Sequence, residues 1–97
     1  GGLEFIGQIE MPRVFIPPLL RPLTGDVEEV TVDAKNVRQV IAALESRFPG
    51  IESRLCDEDG LQPGLTVAVD GNISSLGLLQ QVGEESEVHF LPAIGGG

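Results

Sequence analysis

The sequence contains no tryptophan and no tyrosine, one cysteine (Cys56), one methionine (Met11) and one histidine (His89). A single cysteine rules out an internal disulfide, which agrees with a reducing compartment. No apolar run approaches the ~20 residues of a membrane-spanning helix, and no basic segment leads into a long apolar one, so the protein is expected to be cytoplasmic, with no membrane as partner. Basic residues are scarce: six Lys and Arg stand against fifteen Asp and Glu, a net charge of −9. That sign opposes phosphate backbones and anionic lipid, so nucleic acid is excluded as an expected partner and a basic cleft on another protein is favoured. Metal ligands are thin as well. Asp57-Glu58-Asp59-Gly60 has the opening of a calcium loop but lacks the later ligands and the closing glutamate, and it reads as a solvated acidic loop; no metal is expected.

What is present is enough for one folded domain. Ninety-seven residues with 41% hydrophobic content can bury a modest core, covering ~60–65% of the unfolded surface. Residues 1–10 precede the only methionine and are expected to be an N-terminal extension or cloning residue outside the fold. Residues 11–94 are assigned to the domain and 95–97 to a flexible glycine tail. Val14-Phe15-Ile16 reads as a strand broken by Pro17 and Pro18, Leu19–Leu23 as its continuation at a sheet edge, and Thr24-Gly25-Asp26 as a turn. From Val27 to Asp33, Val30 and Val32 alternate with Glu29, Thr31 and Asp33, the pattern of a half-buried strand. Asn36 can cap a helix from Val37 to about Phe48, because Val37, Val40, Ile41, Leu44 and Phe48 form one stripe, and Pro49-Gly50 stops it. Ile51 and Leu55 are expected to anchor the following loop. Leu65–Val69 reads as a strand, Asp70-Gly71 as a hairpin turn into a short strand near Ile73, and Leu76, Leu78 and Leu79 as a helical turn packed under the sheet. Val82-Gly83-Glu84-Glu85 then turns the chain into a last strand with Val88 and Phe90 inward. This order of elements predicts an α+β fold, a single mixed sheet covered on one face by one helix.

The end of the chain carries the chemistry. After Glu87-Val88-His89-Phe90-Leu91-Pro92 come Gly95, Gly96 and Gly97. Glycine has no Cβ, so such a tail can lie extended in a channel too narrow for any side chain, with its unhindered carboxylate in a partner's active site. A frayed or cloning-derived terminus is the competing reading. Elsewhere, His89 alternates with inward Val88 and Phe90 and reads as an exposed strand histidine without a nucleophile nearby, on a face open to partners. Cys56 reads as an incidental loop thiol. Arg21 and Arg54 either pin loops against the acidic surface or meet a partner. Leu91 and Ile94 are expected to dock in a partner rather than in the core.

The order of elements, the Asp70-Gly71 hairpin, the Gly83-Glu84 turn and the closing Phe90-Leu91-Pro92-Ala93-Ile94 before Gly96-Gly97 resemble the ThiS/MoaD group of ubiquitin-like β-grasp sulfur carriers, over Pro12 to the end. Ile16-Pro17-Pro18-Leu19-Leu20-Arg21-Pro22-Leu23-Thr24-Gly25 and Gly50-Ile51-Glu52-Ser53-Arg54-Leu55 are more narrowly similar to the carriers of thiocarboxylate-dependent cysteine synthesis. Gly95 departs from the pattern, since many relatives carry a small side chain there. The resemblance implies that the chain is not itself an enzyme and binds no cofactor. An E1-like enzyme would adenylate the Gly97 carboxylate with ATP, and a sulfur donor would displace AMP to leave a nucleophilic thiocarboxylate. In the cysteine branch the acceptor would be an aminoacrylate on a pyridoxal phosphate (PLP)-dependent synthase, and a metalloprotease would then trim the added cysteine. The group also implies alternatives: the small subunit of a molybdopterin synthase, a thiamine sulfur carrier, or a ubiquitin-like modifier joined through Gly97 to lysines. A plain interaction module remains the reading outside the group.

Overall fold

The computed structural model describes residues 11–93. The alternating apolar positions of its strands turn one row each toward a shared interior. Strand β1 (Arg13–Phe15) pairs antiparallel with β2 (Glu29–Thr31) and parallel with β7 (Glu87–Pro92). On its other side β7 pairs antiparallel with β5 (Leu65–Val69), which forms a hairpin with β6 (Asn72–Ile73). The sheet order is β2-β1-β7-β5-β6, so the strand that leads to the C-terminus is central. The registers Val14↔Val88, Val67↔Phe90 and Val69↔Val88 place these five side chains on one face, where all are buried.

Helix α1 (Val37–Arg47) closes that face with Val37, Val40, Ile41 and Leu44. Its start is fixed as expected: Asn36 Oδ1 accepts from the Gln39 N–H at 2.8 Å, while Gln39 Oε1 accepts from the Lys35 N–H at 2.9 Å. Beyond the Pro49-Gly50 stop the Glu45 carboxylate accepts from the backbone N–H of Glu52 (2.9 Å) and of Gly50 (3.0 and 3.1 Å). These bonds hold the start of α2 (Glu52–Leu55), a single turn that drives Ile51 and Leu55 fully into the core. The Asp70-Gly71 turn has positive φ at both residues, 54° and 83°, the requirement of a tight two-residue hairpin.

Four expectations are corrected. Leu19–Leu23 does not continue β1 at an edge; Pro18–Thr24 is a 3-10 helix. Pro17, Pro18 and Pro22 remove three ladder donors, and the Leu20 N–H closes a turn on the Pro17 carbonyl at 2.9 Å instead. The second strand is shorter than Val27–Asp33 because β1 offers it only three partners, although Val32 is buried and Val30 half-buried as the alternation required. The acidic stretch is not an open loop: β3 (Cys56–Asp57) and β4 (Gly60–Leu61) pair as a second, two-stranded sheet, with Asp57 Oδ1 accepting from the Asp59 N–H inside the turn. Of the three leucines expected under the sheet, only Leu78 is buried. Gly77, at φ +56°, reverses the backbone in the 3-10 turn Gly77–Leu79 and leaves Leu76 and Leu79 outside. Among the described residues no helix is long and apolar enough to cross a membrane.

Candidate functional site: the root of the C-terminal tail

Strand β7 carries the chain along the middle of the sheet: Glu87–His89 pair with β1, and beyond them Phe90, Leu91 and Pro92 are held by β5 alone. The last pairs are Leu91↔Thr66 and Pro92↔Leu65, and the Ala93 N–H then donates to the Gly64 carbonyl at 2.8 Å. Ile94, Gly95, Gly96 and Gly97, the residues on which the tail chemistry rests, lie outside the described residues. What the structure fixes is the launch point: the chain leaves the sheet beside the turn that leads into β5, which the Leu65 N–H closes by donating to the Gln62 carbonyl at 3.0 Å.

Val88 and Phe90 face the core as expected, and Leu91 is 37% exposed on the opposite face. Around the launch point lies a groove of about 530 Å³ formed by Pro17, Pro18, Leu19, Leu65, Leu91 and Pro92, with Arg54 the one charged lining residue among those described. Leu19 is 80% exposed. Sequence reasoning assigns Leu91 to the surface but misses Leu19, because it reads that segment as an edge strand.

His89 lies on the outer face with Leu91, yet it is half-buried rather than freely exposed. Its ring stacks on Phe15 across the parallel β1–β7 pair, with centroids 4.2 Å apart and planes 3° from parallel. His89 Nε2 is 3.6 Å from the Glu87 carboxylate, which also receives a hydrogen bond from Arg13, and Arg13 lies 3.7 Å from Glu29. The outer face therefore carries a stacked pair flanked by an ion-pair row. Among the described residues the contacts of His89 are the Phe15 ring and the Glu87 carboxylate, neither of them a hydroxyl or thiol it could activate. Arg21 is 3.8 Å from Glu28 and pins the loop after the 3-10 helix, whereas Arg54 faces the groove.

Cys56 is half-buried in β3, opposite Leu61. Burial pushes its thiol pKa up, the charge of Glu52 adds to this, Arg38 opposes it, and Asp57 adds least. The thiol form is favoured, the reverse of what a reactive cysteine needs. Among the described residues no three His, Cys, Asp or Glu side chains converge as metal ligands would. The arrangement can present a strand end and an apolar groove to another protein.

The ThiS family model matches residues 14–97, from the first strand through the diglycine. Among solved structures, the chain is similar to one from a BexX/CysO complex of Amycolatopsis orientalis, at 34% identity and TM-score 0.80 over 89% of this chain and 99% of that one. It is also similar to CysO of Mycobacterium tuberculosis, described as an antigen, at 31% identity and TM-score 0.77 over 86% of this chain and 99% of the other. The small archaeal modifier SAMP1 of Haloferax volcanii shares the fold at 24% identity and TM-score 0.68, over 89% and 98% of the two chains. No curated protein sequence matches the chain. ThiS and CysO-like proteins of this size are generally carriers rather than enzymes. The central position of the last strand and the match running through Gly97 converge on one assignment: the chain belongs to the ThiS family and has the ubiquitin-like β-grasp fold of its CysO-like sulfur carriers.

Proposed function

We propose that the protein is a cytoplasmic sulfur carrier that holds sulfur as a thiocarboxylate on Gly97 and delivers it for cysteine synthesis. The observation that carries this reading is the extent of the family match, which begins in β1 and runs through Gly97, so that the diglycine belongs to the matched segment. The likeness to two CysO structures above 30% identity supports the cysteine branch over the molybdopterin and thiamine branches.

A carboxylate is a poor electrophile, so an E1-like partner must activate it. The Gly97 carboxylate attacks the α-phosphorus of ATP and displaces pyrophosphate, giving an acyl-adenylate. Hydrosulfide, or a donor delivering sulfur at that oxidation level, attacks the acyl carbon, expels AMP and leaves the thiocarboxylate with release of a proton. The glycines let the tail lie in the partner's channel, and the domain serves as the handle. The thiocarboxylate sulfur would add to the β-carbon of a three-carbon acceptor that the synthase holds by its own PLP, giving a thioester, and the acceptor's amine would then take the acyl group from sulfur, leaving an amide and a free thiol. The resulting Gly97–cysteine adduct is hydrolysed by a metalloprotease, which regenerates the carboxylate.

The test is incubation with the cognate activating enzyme, ATP and sulfide, followed by intact-mass spectrometry. One carboxylate oxygen should be replaced by sulfur, and deletion of Gly97 should abolish the product. Addition of the cognate synthase and an activated serine should then give the cysteine adduct. A thiocarboxylate that instead forms a stable complex with a molybdopterin-synthase large subunit, with no cysteine adduct, overturns the pathway. Lysine-linked conjugates in place of thiocarboxylate overturn the carrier role in favour of a protein modifier.

A further inference from the structure

We infer that the groove at the root of the tail is a specificity pocket for the activating enzyme: it receives an apolar side chain of that enzyme against Leu19 and Leu91, while Arg54 pairs with a carboxylate beside it. This rests on the tail chemistry proposed above and names the surface by which that partner is chosen.

Leu19 is the first reason. It is 80% exposed, yet its neighbour Leu20 is buried at 6%. The segment that carries it is held at every point: Pro17 and Pro18 have fixed φ, the Leu20 N–H bonds the Pro17 carbonyl, and the Thr24 hydroxyl lies 3.1 Å from the Arg21 carbonyl and 2.9 Å from that of Val27. Gly25, at φ +65°, lets the chain turn out of the 3-10 helix, and the Asp26 N–H bonds the Arg21 carbonyl at 2.9 Å. A leucine exposed on so constrained a backbone loses little conformational freedom on docking, which is the condition for a single apolar residue to contribute strongly to affinity.

Position is the second reason. The groove is lined by Leu91 and Pro92 at the end of β7 and by Gly64 and Leu65 beside them, and the Ala93 N–H is still bonded to Gly64. Four residues separate this point from the reacting carboxylate, a reach of ~14 Å at full extension. An enzyme that draws the tail into its active site must therefore lie against the groove. At about 530 Å³ the space falls within the range of pockets that enclose small ligands, ample for one large side chain.

Charge identifies what accompanies that side chain. The molecule carries a net charge of −9, but among the described residues the one charged group lining the groove is the Arg54 guanidinium. No described carboxylate lies within 4.0 Å of it. Around the groove, within about a Debye length (~8 Å) of the surface, the net charge of −9 favours a basic partner surface. Within the groove the sign reverses, and an acidic residue is favoured. A partner must satisfy both, which discriminates against surfaces that are merely basic.

The experiment measures affinity apart from chemistry, by titrating the full-length carrier into the cognate activating enzyme without ATP. Leu19→Asp and Arg54→Glu should each weaken binding ~10-fold or more, with Leu19→Met close to the parent chain. Thermal midpoints should stay unchanged, since both residues are exposed. In the complete reaction the same variants should raise KM with kcat preserved, as a lost docking contact does. Unchanged affinity in both variants overturns the pocket even where wild-type thiocarboxylate forms. Weakened affinity with no thiocarboxylate from any form supports the pocket and overturns the proposed function instead. A Leu19-dependent dimer by sedimentation, with enzyme affinity unaffected, assigns the groove to a second copy and overturns the inference.

Discussion

The two 3-10 segments, Pro18–Thr24 and Gly77–Leu79, face the same problem of placing several leucines on a small acidic domain. The first buries Leu20 and exposes Leu19; the second buries Leu78 and exposes Leu76 at 57% and Leu79 at 67%. Exposure is thus comparable, and it does not distinguish them. Their surroundings do. Leu76 and Leu79 line a groove with Arg38, Glu58 and Asp59, which contains both signs of charge and shares no lining residue with the groove at the tail. Leu19 adjoins the strand end and a lone guanidinium. The comparison teaches that an exposed leucine marks a docking point only when the backbone fixes it and the chemistry lies beside it.

The largest effect separates anchor from probe within the first segment. Leu20→Ala removes a buried side chain and should cost ~2–5 kcal/mol, against less than ~0.5 kcal/mol for Leu19→Ala. For a domain of this size, that lowers the thermal midpoint by roughly 10 °C or more in the first case and by a few degrees at most in the second. Equal losses in the two variants would break the distinction between them. The second experiment crosses the segments. Leu19→Asp should weaken binding to the activating enzyme ~10-fold, and Leu79→Asp less than ~2-fold, although both place a carboxylate at an exposed leucine. A larger effect at Leu79 would move the interface to the other groove.

How far the sequence anticipates these features follows from whether their causes are local. The Asn36 cap, the α1 stripe, β5, the Asp70-Gly71 hairpin and the inward Val88 and Phe90 depend on side-chain period and turn chemistry within a few residues, and they stand as read. The 3-10 helix at Pro18–Thr24 does not. Pro-Leu-Leu-Arg-Pro-Leu has neither period, and its shape is completed by the Thr24 bond to Val27, beyond the segment itself. The β3–β4 pair hides in Cys56-Asp57-Glu58-Asp59-Gly60 because two residues per strand are too few to show alternation. Parity places His89 on its face, but its stacking partner Phe15 lies near the other end of the sequence, on a strand paired in parallel. For the site, Leu91 follows from parity alone, whereas Leu19 needs the tertiary path to reveal it.

The glycines that shape the two segments sharpen the comparison at smaller scale. Gly25 has φ +65° and Gly77 φ +56°, and a Cβ at either would meet nothing within 4 Å. Alanine at each should therefore cost only backbone strain, about 1 kcal/mol, read as a lower denaturant midpoint with unchanged slope. Only Gly25→Ala should also reduce affinity for the activating enzyme, because Gly25 closes the segment that fixes Leu19. An equal loss of affinity with Gly77→Ala would show that rigidity around the tail-root groove is not what matters.

The smallest effect concerns the other wall of that groove. Glu45 accepts hydrogen bonds from the Glu52 and Gly50 N–H groups, and these bonds hold its carboxyl below the ordinary glutamate range, with desolvation opposing them weakly. A carboxyl whose folded pKa lies below its unfolded value stabilises the fold above the unfolded value, and that contribution is lost as pH falls through the folded one. Glu45→Gln keeps an acceptor but loses the charge-assisted part of both bonds. The stability difference between parent and variant should therefore be present at neutral pH and disappear in the acid range below the ordinary glutamate value, as measured by denaturant unfolding across pH. Because the same bonds set the start of α2, which bears Arg54, the variant should also weaken enzyme binding slightly at neutral pH, by less than ~3-fold. A pH-independent difference between parent and Glu45→Gln would mean that the carboxylate bonds to Gly50 and Glu52 do not persist in solution, and that Arg54 is held in place by the burial of Ile51 and Leu55 alone.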